Sequence, residues 1–208
     1  MQSVFKKFLY FDLGNVIVNF DHERAVQRLQ SHCSSKAEVY REFLTDSAAK
    51  RQYETGQISS QDFFDQFCGV AKCNLSREKF LLAVSDIFWL NAPIMPLIMN
   101  LKFAGYRLGI LSNTCESHWD FLVNRIVILS EYFDCHVLSH QVHCLKPDLE
   151  IYRIAEKMAA TDAENIFYVD DRPEHVEGAK AAGWIAERFE SVSILNQHLS
   201  VNGIVCNY

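Results

Sequence analysis

The chain has 208 residues, 49% of them hydrophobic and 22% charged, enough for one globular core with a modest insertion and too apolar for a disordered segment. Acidic residues outnumber basic ones, the net charge is −6, and the basic residues are scattered, which excludes the basic stripe of a nucleic-acid binder. No stretch approaches the roughly 18–20 apolar residues of a membrane span, and the N-terminal apolar run is too short for a signal peptide. The seven cysteines, at 33, 68, 73, 115, 135, 144 and 206, form no CxxC pair. They read as free thiols of a cytoplasmic protein, not as a zinc site or a disulfide framework.

The first predicted strand, Phe8–Phe11, is a continuous apolar run. It leads into Asp12-Leu13-Gly14-Asn15-Val16. From about residue 19 to 87 the pattern turns helical, with no convincing strand. Four apolar stripes recur at helical spacing: Ala25, Val26 and Leu29; Val39, Tyr40, Phe43 and Leu44; Phe63, Phe64 and Phe67; and Phe80, Leu81, Val84, Ile87 and Phe88. They suffice for an inserted all-α four-helix cap with its own core, placed to act as a lid.

Strand and helix alternate thereafter. A helix over 93–103 stops at Gly105, and a strand over 107–111 ends in Ser112-Asn113-Thr114. A helix over 116–129 is followed by a strand over 135–139, then by Lys146-Pro147-Asp148 and a helix over 148–159. A strand over 166–169 ends in Asp170-Asp171-Arg172-Pro173. The next helix, 173–182, has proline in its first turn and Gly183 at its end, and a last strand covers 184–188. The reading is an α/β fold: a three-layer, Rossmann-like core with a parallel sheet, residues 1–18 and 89–208, carrying the cap at 19–88.

Such sheets bind ligands at the carboxyl ends of their strands. Read singly, Asp12 serves as well as a turn residue, Ser112 or Asn113 as a helix cap, and Lys146 as a surface lysine. Asp170 and Asp171 are harder to explain away, because adjacent carboxylates repel unless a cation lies between them. Together, the four strand ends bring a carboxylate, hydroxyl and amide donors, a lysine and a carboxylate pair to one crevice. Phosphoryl transfer needs that set: a nucleophile, cations against the equatorial oxygens, and donors to hold them.

These segments resemble the four motifs of the haloacid dehalogenase superfamily. Phe11-Asp12-Leu13-Gly14-Asn15-Val16 is similar to the first and Leu111-Ser112-Asn113-Thr114 to the second. Lys146-Pro147 is similar to the third, and the run from Val169 to Ala179, with Gly183-Trp184, to the fourth. The insertion resembles that family's small α-helical cap, and Tyr53-Glu54-Thr55-Gly56-Gln57-Ile58-Ser59 its substrate-facing loop.

The resemblance implies a Mg²⁺-dependent phosphatase in which Asp12 is the nucleophile and forms an aspartyl-phosphate. Asp12, the Gly14 carbonyl and Asp171 would hold the metal with Asp170 behind them, the order of the last two staying open. Ser112 and the Asn113 backbone would hold the phosphate, and Lys146 would pair with it and with Asp12. The substrate would be a small phosphorylated metabolite, a sugar phosphate such as glucose 1-phosphate, and the protein a monomer or homodimer. One position departs from the pattern. Gly14 stands where most phosphatases of the family carry a second Asp as general acid. His22 and Glu54 are candidate substitutes. A metal-independent dehalogenase and a catalytically weak binding or regulatory protein of the same fold are the competing readings.

Overall fold

The computed structural model describes residues 6–205, so Cys206 and the first five residues lie outside the described part. In chain order the elements are β1 (Phe8–Phe11), β2 (Val18–Phe20), α1 (His22–Gln30), α2 (Ala37–Asp46), α3 (Ala48–Glu54), α4 (Ser60–Ala71) and α5 (Arg77–Ser85). Then come β3 (Phe88–Leu90), α6 (Met95–Phe103), β4 (Arg107–Ser112), α7 (Glu116–Val123), α8 (Ile128–Glu131), β5 (Cys135–Leu138) and α9 (Ser139–Val142). The chain closes with α10 (Leu149–Ala159), β6 (Ile166–Asp170), α11 (Pro173–Ala181), β7 (Ile185–Arg188) and α12 (Val192–Val201).

Five strands form one sheet in the order β5-β4-β1-β6-β7, every neighbouring pair parallel. β1 lies in the middle, with Phe8 level with Arg107 of β4 and Ile166 of β6. Both faces of the sheet are covered, which is why its strands read as unbroken apolar runs. Leu9 and Phe11 point to the face packed by Leu97, Ile98, Leu122 and Leu195. Phe8 and Tyr10 point to the opposite face, packed by Ile151, Tyr152, Val176 and Ala179. The three layers follow directly from that alternation.

The four apolar stripes of the insertion fall on α1, α2, α4 and α5, except that Ile87 lies past the end of α5 and Phe88 opens β3, and their buried members form a separate core around Phe63, Phe67 and Phe80. A fifth helix, α3, buries only Ala49 and Tyr53, too small a stripe to stand out in sequence. The insertion leaves and rejoins the core through a two-stranded antiparallel ribbon, β2–β3, in which Val18 faces Leu90 and Phe20 faces Phe88. Three-residue strands carry no readable period, and neither was expected. The helix expected over 116–129 is broken between Val123 and Ile128. Ser139 leaves the strand to begin α9, and α12 was not anticipated, because its buried stripe is only Leu195 and Leu199.

The cap is docked on the core by its α3–α4 connection. The Ser139 hydroxyl reaches the Glu54 carbonyl at 2.6 Å, and His143 Nδ1–H donates to the Thr55 carbonyl at 2.9 Å. The Ser117 N–H donates to the Tyr53 hydroxyl at 3.2 Å, and the Ser60 hydroxyl to Glu116 at 2.5 Å. Gly56 makes this approach possible. Its φ is +65°, and a Cβ there would lie 2.1 Å from the His140 carbonyl oxygen. Gly56→Ala is therefore expected to destabilise the protein by about 2 kcal/mol or more. Thermal unfolding reads the loss, and hydrogen exchange should rise first over residues 53–60.

Candidate active site

The carboxyl ends of β1, β4 and β6 open into a crevice of about 300 Å³, roofed by the cap. Asp12, the residue after β1, is fixed by its own N–H, which donates to Val169 of β6 at 2.9 Å. Lys146 reaches it from the connection before α10. Its ammonium is fully buried, with Asp12 Oδ1 (2.8 Å), Asp170 Oδ2 (2.7 Å), the Leu111 carbonyl (2.9 Å) and the Tyr168 hydroxyl (2.9 Å) sharing its three N–H donors. Burial alone would discharge this lysine, but the two carboxylates raise its pKa and keep it charged.

The other carboxyls differ in how fully they are engaged. Asp170 is completely buried and bonded on every side, to Lys146, Tyr168, the Arg172 N–H and His175 Nδ1. Burial opposes its ionisation, yet Lys146 and His175 hold it well below the usual carboxylate range. Asp171 is half-buried and accepts one side-chain bond, from Asn15 Nδ2 at 2.9 Å. Asn15 sits in the left-handed region, φ 55°, which turns its amide toward Asp171. Asp12 is pushed up to about 7, first by burial and then by Asp170, with Lys146 opposing.

Oxygens of Asp12, Asp170 and Asp171 lie within 4.8 Å of one another, and the Lys146 ammonium pairs with only the first two. That excess of negative charge and the hard oxygen donors suit a divalent cation such as Mg²⁺. Ser112 is buried at the end of β4 and lines the crevice. The Asn113 side chain is spent elsewhere: Oδ1 accepts from the Lys146 N–H (2.8 Å) and Nδ2 donates to the Lys146 carbonyl (3.0 Å). It clamps the backbone that presents the lysine. All the residues singled out from the sequence as site candidates therefore meet at this crevice or directly behind it.

Tyr168, His175 and Asn15 were missed. Tyr168 had a readable signal: it lies two residues before Asp170, on the same face of β6. The partners of His175 and Asn15 come from the turn geometry. Gly14 borders the crevice as well, and a Cβ on it would stand 3.0 Å from the ring of Phe20. Any side chain at this position would therefore need the Phe20 ring to shift by a few tenths of an ångström.

The cap contributes His22, Thr45, Lys50 and Glu54 to the crevice, and α7 contributes His118. Lys50 and Glu54 form an ion pair at 2.8 Å. Burial, with Lys50 adding to it, pushes both histidines down to about 4, His118 also pressing on His22 while Glu54 opposes for both and Asp21 for His22. Both are therefore neutral near pH 7. Burial lifts the Cys115 thiol to about 12, in keeping with an apolar filler.

The profile of the family described as haloacid dehalogenase-like hydrolase matches residues 7–183. A D-ribitol-5-phosphate phosphatase of Bacteroides thetaiotaomicron is 24% identical over 204 residues, covering 94% of this chain and 97% of its own. Among solved structures, a haloacid dehalogenase family enzyme from the same organism, in complex with magnesium and inorganic phosphate, superposes with a TM-score of 0.80 at 24% identity, covering 91% of this chain and 98% of that one. A predicted hydrolase of the family from Porphyromonas gingivalis gives 0.79 at 20% identity, covering 93% and 98%.

The two histidines set a pH dependence. An unfolded histidine titrates near 6.5, and these titrate near 4 in the folded chain. Between those values the unfolded state binds protons that the native state refuses, so their stabilisation is complete above about pH 6.5 and lost as pH falls to about 4. The melting temperature should fall across that window. His118→Gln, which keeps a donor for the Val84 carbonyl, should flatten the fall.

Proposed function

This chain belongs to the haloacid dehalogenase-like hydrolase family, and we propose that it is a Mg²⁺-dependent phosphatase acting on a small phosphorylated sugar or sugar alcohol. The observation that carries the reading is the cluster of three carboxylates, Asp12, Asp170 and Asp171, two of which share the buried ammonium of Lys146. The phosphatase and the magnesium- and phosphate-bound enzyme of B. thetaiotaomicron support it by likeness.

Asp12, Asp171 and the Gly14 carbonyl would hold the cation, with Asp170 orienting the cluster from behind. The ion would supply positive charge against the phosphoryl oxygens. Asp12 then attacks phosphorus, forming an aspartyl-phosphate as the bond to the leaving oxygen breaks. Ser112 and the Asn113 N–H bind the non-bridging oxygens, and Lys146 neutralises them while keeping Asp12 aimed. Water subsequently cleaves the aspartyl-phosphate at phosphorus and frees Asp12.

The leaving group's side of the crevice is walled by His22, Thr45, Lys50 and Glu54, polar groups suited to hydroxyls. No acid stands at Gly14. His22, neutral at working pH, has no proton to spare, and Glu54 is tied to Lys50. A substrate with an undemanding leaving oxygen, such as the anomeric oxygen of glucose 1-phosphate, suits this arrangement. A metal-independent attack on carbon does not, since it has no use for three crowded carboxylates.

Purified protein with Mg²⁺ is expected to hydrolyse p-nitrophenyl phosphate, and within a panel of phosphorylated metabolites to favour sugar and sugar alcohol phosphates. Asp12→Asn should lower the rate by roughly a thousand-fold or more, with circular dichroism unchanged. Full activity in that variant, or in EDTA, contradicts the reading.

A further inference from the structure

Three cap cysteines, separated in sequence, share one corner of the fold. α1 begins at the crevice with His22, and α2 runs back to it, with Thr45 in its last turn. The 31–36 loop between them therefore lies at the far end of the cap. The 72–76 loop, between α4 and α5, lies beside it. The Ser34 N–H donates to the Lys72 carbonyl (3.4 Å), the Ser35 N–H to that of Ala71 (3.3 Å), and the Asn74 N–H to that of His32 (3.0 Å).

Two of those bonds, from 34 to 72 and from 74 to 32, bracket Cys33 and Cys73, which form an isolated antiparallel bridge. A pair bracketed in this way is of the non-hydrogen-bonded kind, whose Cα atoms stand about 4.5 Å apart with side chains close together. Disulfides span Cα separations of about 4.4–6.8 Å. Cys73 also has a second neighbour: its sulfur lies 3.3 Å from that of Cys68, in the last turn of α4. All three are free and partly exposed.

We infer that this corner is a site of reversible oxidation, in which Cys73 forms a disulfide with Cys68 or with Cys33. The oxidant is a small disulfide such as oxidised glutathione. A thiolate of the trio attacks one of its sulfurs, the oxidant's S–S bond breaks, and one glutathione leaves and takes up a proton. A neighbouring thiolate then attacks the protein sulfur of the mixed disulfide, and the second glutathione leaves. Two protein thiols are oxidised, one small disulfide is reduced to two thiols, and two protons pass to the products. The third thiolate can attack Cys73 in turn and expel its first partner as a thiolate, exchanging a Cys68–Cys73 bond for a Cys33–Cys73 bond, or the reverse, with no further oxidation.

The two bonds do different work. Cys68–Cys73 closes only the end of α4, whereas Cys33–Cys73 ties the α1–α2 hairpin to the α4–α5 hairpin. Burial raises all three thiols, that of Cys68 to about 12, so little thiolate is present at neutral pH and the reaction is slow. Proximity drives it.

The test treats the full-length protein with oxidised glutathione in mildly alkaline buffer, alkylates it without reduction and maps its peptides by mass spectrometry. The chain is expected to lose two hydrogens, with Cys73 linked to Cys68 or Cys33 and the remaining thiols alkylated. Dithiothreitol should reverse the change, and the oxidised form should melt a few degrees higher than the reduced one. Cys68→Ser should leave only the Cys33–Cys73 bond. Cys73→Ser, and Cys73→Ala as a second variant, should form no internal bond while keeping the wild-type circular dichroism spectrum. Full alkylation of the trio, a glutathione adduct that never resolves, or a bond to Cys115, Cys135, Cys144 or Cys206 overturns the inference.

Discussion

The site rests on one buried ammonium. Lys146 is drawn from a loop into the centre of the fold and touches the ends of three strands at once: the Leu111 carbonyl of β4, Asp12 after β1, and Tyr168 with Asp170 on β6. A charge removed from water must recover its hydration from such partners, or it becomes costly. Here it has four, and the Asn113 amide holds its backbone from both sides. The crevice cannot be reshaped without disturbing that cation, and the cation cannot be lost without leaving Asp12 and Asp170 buried together. Removing one partner of such a pair typically costs about 3–5 kcal/mol.

The same accounting explains the site's appetite for a further cation. Lys146 neutralises only one of three close carboxylates. Asp170, bonded on every side, stays ionised, while Asp12 is driven up to about 7 by its surroundings. For the attack proposed for Asp12, a carboxyl pushed up in this way is a poor nucleophile. A divalent cation beside Asp12 and Asp171 would restore its charge and, in the same place, offer the countercharge that a phosphoryl group requires. The wall opposite is supplied by the cap, whose α3 carries Lys50 and Glu54 and whose next loop is pinned to the core through Gly56. The carboxylate cluster and the polar wall facing it thus come from different parts of the chain, the core and the cap.

Much of this was legible beforehand because the signals are local. The strands of a doubly covered sheet are short apolar runs, and three of them lead straight to a candidate residue: Asp12 follows β1, and β4 and β6 end on Ser112 and Asp170. What escaped depends on geometry. Asn15 matters because of its left-handed backbone, which turns its amide to Asp171. His175 matters because the first turn of α11 folds its ring back onto Asp170. α3 and α12 bury two residues each, below the strength of a readable stripe, and β2 and β3 are too short to show a period. The cysteine trio is the extreme case. Spacing alone showed no pair, since Cys33 meets Cys73 only after two helical hairpins have packed side by side.

The claim that matters most is that the carboxylate cluster is built for a divalent cation. Isothermal titration of the protein with Mg²⁺, before any substrate is added, tests it most directly. One ion per chain should bind, with affinity lowered by roughly ten-fold or more in Asp171→Asn. Absence of binding in the wild type, or equal binding in the variant, would contradict it.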